Sequence, residues 1–311
     1  MKGVRFDRMK TKAIPYGEVH IERRLPGKPH AGKVLGAIQA HADDIPLYSA
    51  GTIAKLMDEG YTGYLIQTTN DEKCGPTMSF GETILSNERE VDELARVLGF
   101  KQVFYLGYRN HLMDEASPIE LRCRLIFLIR ALKMDTVFTF NPWGHDEENP
   151  DHWVTGQAVE AACWMAGNAK DYPEHLAAGI EPHAVKEKYY WVVRPGQPYN
   201  RIVDISDYID KRTEALRVNK AQGPAGSSGA RLKARLAQQG VRLPILGDDD
   251  ETADREYNRL FCSTAARVLG QEYGLEYAEP FFYVPPGGSV FGFAESDEIE
   301  AYIAEHAVPI E

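Results

Sequence analysis

The stretch Val34–Asp44, with the sequence VLGAIQAHADD, joins a short apolar run to three ionisable side chains. The apolar run predicts a buried strand, and the apolar periodicity of residues 45–60 predicts a helix directly after it. His41, Asp43 and Asp44 therefore lie in a loop between a strand and a helix. In open α/β sheets, ligands bind at the carboxyl ends of the strands, where such loops lie. This loop is the first candidate site.

The same alternation continues along the chain. Short apolar runs follow segments of helical periodicity, some of which begin at a cap residue such as Ser117 or end at a glycine such as Gly99. Strands alternating with helices predict crossover units and a mainly parallel sheet of the α/β class. The predicted strands are 33–39, 63–68, 102–106, 136–140, 188–193, 201–205 and 277–284. The predicted helices are 45–60, 87–98, 117–132, 153–165, 207–222 and 251–269, with a polar loop over 69–86.

The chain of 311 residues is long enough to bury a large core, and its pattern indicates one domain rather than two. We expect residues 1–30 to form an extended leader and residues 31–290 to form a single α/β domain. Within it, residues 223–250 have the character of an insertion or lid. Residues 291–311 predict an acidic, weakly helical tail.

Composition excludes several classes of protein. Hydrophobic residues make up 43% and charged residues 26%, which is ordinary for a globular protein. The formal net charge of -11 argues against nucleic acid or an anionic membrane as the main partner. No apolar run reaches membrane-spanning length, and the N-terminus lacks the apolar core of a signal peptide. The four cysteines lie far apart, which predicts free thiols in a reducing cytoplasm.

Two clusters of ionisable residues follow predicted strands. His41 and Asp44 are three residues apart at a helix entry, and His152 occupies the corresponding place after the fourth predicted strand. Imidazole and carboxylate ligands suit a zinc-type ion, which keeps one position open in catalytic sites. Asp43 is then free to take a proton from water at the metal. Two other interpretations remain: an Asp-Asp pair is often a helix cap, and a single histidine is often a surface residue.

Several short motifs occur in an order that is typical of one protein family. The first three are Ala40–Asp44, Gly51–Ala54 and Asn149–Gly156. The supporting ones are Leu106–Tyr108, Val203–Ser206 with Lys211, and Tyr277–Phe281. Together they span about residues 33–283 and resemble the PIG-L/LmbE-like deacetylases. The two loop motifs in combination carry the resemblance.

The resemblance implies a Rossmann-like, doubly wound sheet with helices on both faces. It also implies zinc-dependent removal of an acyl group from an amine, typically N-acetylglucosamine carried on a sugar, inositol or lipid. By the same resemblance, His41, Asp44 and His152 are the zinc ligands and Asp43 is the base. Asp151 is expected to support a ligand without touching the metal. A homo-oligomer, trimeric or hexameric as in some relatives, is expected.

The chain departs from the family pattern in the residues that contact substrate. Asn149 replaces a histidine that steadies the oxyanion; its amide still donates a hydrogen bond, and His145 lies nearby in the sequence. Asn87 replaces an arginine that grips the sugar, with Arg89 close by. Asn110 replaces the common aspartate after the Leu-Gly pair. We expect these five residues to contact substrate or the reacting carbonyl.

Trp143 is a further candidate, because a tryptophan near the strand ends can stack on a sugar face, although packing explains most such aromatics. Two alternative functions stay open. One is an amidase that uses the same metal centre on a larger acyl or thiol-conjugate amide. The other is a carbohydrate-binding protein with an inactive site, which the asparagine replacements favour. A nicotinamide dehydrogenase is excluded, because no glycine-rich phosphate loop follows the first strand.

Overall fold

A computed structural model describes residues 18–74, 79–221, 225–286 and 296–309. The strands of this part of the chain are β1 (His20–Glu22), β2 (Val34–Gln39), β3 (Thr62–Thr69), β4 (Gln102–Tyr108), β5 (Thr136–Phe140), β6 (Glu187–Trp191), β7 (Arg201–Asp204) and β8 (Ala278–Val284). Its α-helices are α1 (Asp44–Tyr48), α2 (Ala50–Asp58), α3 (Phe80–Leu98), α4 (Pro118–Leu132), α5 (Pro150–Ala166), α6 (Pro173–Ala177), α7 (Ile209–Val218), α8 (Ser228–Gln238), α9 (Asp250–Tyr257), α10 (Thr264–Glu272) and α11 (Ser296–His306).

The strands form one sheet in the order β1-β7-β8-β6-β5-β2-β3-β4. β8 runs antiparallel to its neighbours β6 and β7, and the other pairs are parallel. The predicted mainly parallel sheet is confirmed. Because β2 to β6 run in the same direction, the loops that follow them meet at one edge of the sheet.

Helices cover both faces of the sheet, as the doubly wound expectation requires. On β2, Leu35 and Ala37 pack into one core and Ile38 packs into the other, because successive side chains of a strand point to opposite faces. The first core includes residues of α2, α3, α7 and α10. The second includes residues of α4 and α5. The central strands are therefore buried on both sides, which explains their continuous apolar sequences.

The single helix predicted over 45–60 is two helices, α1 and α2, with a break at Ser49. A buried carboxylate from the far end of the chain causes this break between α1 and α2. Glu279 on β8 accepts hydrogen bonds from the backbone N–H groups of Gly51 and Thr52 at 3.1 and 2.8 Å and from the Thr52 hydroxyl at 2.7 Å. Arg212 on α7 lies 3.3 Å from the same carboxylate. The start of α2 is thus capped by a residue that is far away in the sequence, so no local sequence pattern predicts the cap.

Three other boundaries differ from the predictions. α3 begins at Phe80 rather than at residue 87, because Ser79 and Glu82 form a capping box. The helix predicted over 251–269 is divided by a π-type turn at Asn258–Cys262 into α9 and α10. The leader contributes an edge strand, β1, which pairs with β7.

Some predicted segments fall partly outside the described residues. This applies to the leader as far as residue 17, to part of the predicted loop (75–78), to residues 222–224 and to parts of the tail (291–295 and 310–311). Among the described residues, the helices are too short or too polar to cross a bilayer.

Replacing Glu279 by Ala should destabilise the fold by about 3–5 kcal/mol, because Arg212 then stays buried without its carboxylate partner. Urea denaturation of the pure protein measures this change. Glu272→Ala on the exposed side of α10 is the control and should change the free energy of unfolding by less than about 0.5 kcal/mol. Equal stabilities of the two variants would show that the Glu279 contacts do not hold α2 in place.

Candidate metal centre and active site

Residues from the loop after β2 and from the start of α5 meet at the carboxyl edge of the sheet. His41 Nδ1 lies 3.0 Å from His152 Nε2, although 111 positions separate the two residues. Asp44 Oδ1 lies 3.5 Å from the same His152 nitrogen, and Asp44 Oδ2 lies 3.8 Å from His41 Nδ1. All three side chains are buried. One oxygen and two nitrogens therefore converge on a single point.

The local sequence places each of these three side chains. Asp44 turns back and accepts hydrogen bonds from the backbone N–H groups of Ala40 and His41 at 3.0 and 2.7 Å. The Gln39 side chain accepts from the backbone N–H of Ile45 and so closes the first turn of α1. These bonds hold the loop in one conformation and leave Asp44 Oδ1 facing the two histidines.

His152 is positioned by the close approach of α5 to β5. Its ring stacks on the ring of Phe140, with centroids 4.0 Å apart and planes 15° apart. Gly156 makes this approach possible, since a Cβ there would lie 2.8 Å from the Phe140 carbonyl oxygen. A side chain at position 156 would push α5, and His152 with it, away from the sheet.

Each histidine has a carboxylate next to its outer nitrogen. His41 Nε2 donates to Asp151 Oδ2 at 3.0 Å, and His152 Nδ1 lies 3.2 Å from Glu147 Oε2. Carboxylates in this position orient the ring of a metal-ligating histidine and raise its basicity. The arrangement directs His41 Nδ1 and His152 Nε2 at each other.

These residues fit a divalent metal ion. Zinc bonds to imidazole nitrogen at about 2.0–2.1 Å, so ligand atoms up to about 4 Å apart can share one ion. Burial lowers the pKa of His41, but the hydrogen bond to Asp151 and the nearby Asp44 carboxylate outweigh burial and hold that pKa well above its ordinary value. The site therefore attracts positive charge. Two nitrogens and one carboxylate oxygen are the donor set of many catalytic zinc sites.

A second group of possible ligands, His41, His111 and Asp151, lies beside the first. The carboxylate of this group, Asp151, already accepts hydrogen bonds from other residues of the protein. Asp151 Oδ2 accepts from His41 Nε2 and from the backbone N–H of His111 at 2.7 Å, and Oδ1 accepts from that of Met113 at 3.3 Å. Asp151 therefore acts as an anchor for His41, and the first group is the better metal site.

Asp43 stands beside His41, Asp44 and His152 and does not cap the helix. Its side chain makes no capping hydrogen bond to α1 and faces a cavity of about 240 Å³. Burial and the neighbouring Asp44 carboxylate raise the pKa of Asp43 to about 7. A cation held by His41, Asp44 and His152 lowers this pKa, because opposite charge favours the ionised form. The carboxyl group is thus placed to accept a proton inside the cavity.

Comparisons with known proteins identify the family of this chain. Residues 37–163 match the family described as PIG-L, GlcNAc-PI de-N-acetylase. The diacetylchitobiose deacetylase of Thermococcus kodakarensis is 31% identical over 197 residues, which are 62% of this chain and 70% of that protein. The chain belongs to the PIG-L family. The family membership that the sequence motifs predicted is confirmed.

Two further proteins are similar to this chain at lower sequence identity. The mycothiol S-conjugate amidase of Streptomyces coelicolor is 26% identical over 205 residues, which cover 58% of this chain and 64% of that protein. The solved structure of N,N'-diacetylchitobiose deacetylase from Pyrococcus horikoshii with its inhibitor MPG has 25% identity and a TM-score of 0.64. That similarity covers 81% of this chain and 84% of the other.

The residues at which this PIG-L chain departs from the family pattern have different environments. Asn149 lines the cavity, and its side-chain oxygen accepts from the backbone N–H of Asp151. Asn110 also lines the cavity, and its amide donates to Asp71 Oδ1 at 3.2 Å. Asn87 is buried behind the cavity and donates to the backbone oxygen of Asp71. Of these, Asn149 has the freest amide group for a substrate, because none of the described residues accepts from it.

The other three predicted substrate or catalytic residues lie outside this cavity. Arg89 is exposed on α3 and donates to the Leu85 carbonyl. His145 is exposed, and its backbone oxygen accepts from Gln197. Trp143 is 62% exposed and touches Tyr190 edge-on. Their roles stay predictions, and the structure brings none of them next to the metal ligands.

The sequence analysis missed several residues of the site, among them Tyr48, Asp71, Glu147 and Arg194. Asp71 follows β3 and Arg194 follows β6, so a rule that inspects every strand end finds both. Burial raises the pKa of Asp71 to about 6, and its carboxylate accepts from the backbone N–H of Ala42 at 3.1 Å. Arg194 donates to Glu147 Oε1 at 3.0 Å, which fixes the carboxylate next to His152.

Replacing Glu147 by Gln should weaken metal binding about 10- to 100-fold, because His152 loses the carboxylate that orients its ring. Competition with a zinc-binding dye measures the affinity. Glu148→Gln is the matched control, since Glu148 also binds Arg194 but is exposed and does not approach His152. The two variants binding metal equally well would remove Glu147 from the metal centre.

Proposed function

We propose that this chain is a zinc-dependent hydrolase that removes the acetyl group from an N-acetylated amino sugar or a glycoconjugate of one. The observation that carries the proposal is the buried group His41, Asp44 and His152, with the uncommitted carboxyl of Asp43 beside it at an open cavity. Membership of the PIG-L family supports the reaction class. The 31% identity to a diacetylchitobiose deacetylase supports the sugar.

His41, Asp44 and His152 would hold the zinc ion. When bound, zinc polarises the amide carbonyl as a Lewis acid and makes a coordinated water more acidic. The buried carboxylates Asp151 and Glu147 keep the two imidazole rings turned toward the ion.

Asp43 acts as general base and then as general acid. Its carboxylate takes a proton from the attacking water, and the protonated form gives this proton to the leaving amine. Burial and the Asp44 carboxylate raise the pKa of Asp43 before metal binding, which supports a role for its protonated form. One side chain therefore serves both proton transfers without a second acid.

Asn149 donates a hydrogen bond to the carbonyl oxygen as that oxygen becomes negative. Its side-chain oxygen is held by the N–H of Asp151, so the amide nitrogen points away from the helix end and toward the cavity that it lines. A single donor of this kind typically lowers the barrier by about 3–4 kcal/mol. Because this amide carries no charge, its contribution does not depend on protonation.

A second candidate is an amidase for a larger acyl or thiol-conjugate amide, which the similarity to mycothiol S-conjugate amidase favours. The two candidates share the metal centre and the base. They differ in the acid that is released, so product analysis separates them.

Replacing Asp43 by Asn should lower kcat by about 10²- to 10⁴-fold while leaving the zinc content at one per chain, since the proton acceptor is lost and the ligands are kept. Steady-state acetate release and atomic absorption measure the two quantities. Asp114→Asn, at an exposed aspartate away from the cavity, is the control. Full activity of Asp43→Asn would exclude Asp43 as the base.

The zinc-loaded protein should release acetate from N-acetylglucosamine derivatives, and removal of the metal should abolish this activity. The measurement is a product assay over N-acetylated sugars of increasing length, repeated with propionyl and thiol-conjugate amides. Release of another acid with little acetate would favour the amidase. Zinc-loaded protein that hydrolyses no amide would leave carbohydrate binding as the function.

A further inference from the structure

A second cavity, of about 360 Å³, lies beside the candidate active site. It is bounded by α1, the segment after β6, α10 and the start of β8. Most of the residues that line it are apolar: Leu47, Tyr48, Val192, Val193, Pro195, Ala265, Ala266, Leu269, Ala278 and Pro280. The motif Tyr277–Phe281 contributes Ala278, Glu279 and Pro280 to this lining, although the sequence analysis assigned no cavity to it.

The second cavity adjoins the first. Leu47, Tyr48 and Arg194 line both, so the two cavities share a boundary at these three side chains. Arg194 is held at this boundary by Glu147 and Glu148, and Tyr48 belongs to α1, which also carries the metal ligand Asp44. A substrate whose amide lies at the metal can therefore extend past Tyr48 into the second cavity.

The lining of the second cavity does not suit a sugar ring. Its two buried charged residues are committed to contacts within the protein. Arg212 donates to Ser263 and to the Leu47 carbonyl, and Glu279 accepts from α2. Sugar hydroxyls that enter such a space lose hydrogen bonds with water, which costs free energy. An apolar group gains by the same transfer.

We propose that the second cavity binds an apolar group attached to the N-acetylated sugar, so that the preferred substrate is an amphipathic glycoside rather than a free oligosaccharide. This inference rests on the proposed function, since it places the reacting amide at the metal. The apolar group stays far from the reacting bond, and its burial lowers KM more than it raises kcat, because substrate and transition state bury it equally.

The test compares the methyl and hexyl β-glycosides of N-acetylglucosamine as substrates of the zinc-loaded protein. We expect the hexyl glycoside to have a KM at least about tenfold lower, with kcat changed less than about twofold. Ala265→Phe places a ring in the cavity, because Ala265 lines it from the exposed end of α10. This variant should lose the preference and keep its activity on the methyl glycoside.

Val268→Phe is the matched control, since Val268 is half-exposed on the same helix and does not line the cavity. It should keep the preference for the hexyl glycoside. Equal KM values for the two glycosides in the native chain, or loss of the preference in both variants, would overturn the inference.

Failure of the proposed function gives a different result. If no glycoside releases acetate, calorimetry with hexyl and methyl β-D-glucopyranoside, which lack the amide, tests the cavity by itself. Tighter binding of the hexyl compound that is lost in Ala265→Phe and kept in Val268→Phe supports the cavity assignment. Equal binding of the two compounds overturns it.

Discussion

The carboxylate of Asp151 holds together the loops that make the site. It accepts hydrogen bonds from His41 after β2 and from the backbone of His111 and Met113 after β4, while Asp151 itself begins α5. Burial raises the pKa of this carboxyl, but these donors outweigh burial and lower it, so Asp151 stays ionised. A fixed negative charge behind His41 turns its other nitrogen toward Asp44 and His152. The orientation of His41 toward Asp44 and His152 therefore depends on this one buried anion.

The electrostatics of the site follow from crowding carboxylates where water is scarce. Burial raises the pKa values of Asp43 and Asp71, and the neighbouring carboxylates of Asp44 and, for Asp71, Asp151 raise them further. Such a group requires compensating positive charge. In the protein without metal, the His41 imidazolium supplies part of it. The proposed divalent ion would replace that proton and supply more positive charge. The same crowding underlies the proposed role of Asp43 as a proton carrier, so the proposed metal binding and base chemistry have one physical origin.

The ion pair of Arg212 and Glu279 extends this organisation to the second cavity. Glu279 caps α2, and Arg212 donates to the carbonyl of Leu47 at the end of α1. The turn between the two helices is therefore fixed from β8 and α7. Tyr48, at the end of α1, stands at the boundary of the two cavities for this reason. Buried charges far from the metal thus decide the shape of the space in which a substrate lies.

The amino-acid sequence was enough to predict the elements whose causes are local. Apolar runs predicted the central strands, and the motifs around His41 and His152 predicted that these two residues and Asp44 converge, with Asp43 and Asp151 beside them. The folded structure was needed to show which further side chains join them. Glu147, Asp71 and Arg194 reach the site through loop conformations, and the break at Ser49 depends on Glu279, which lies more than 200 positions away. Hydrophobic periodicity and helix-capping residues reflect interactions between residues that are close in the sequence. Buried hydrogen bonds between distant segments leave no such pattern in the chain, because burial is a property of the whole fold.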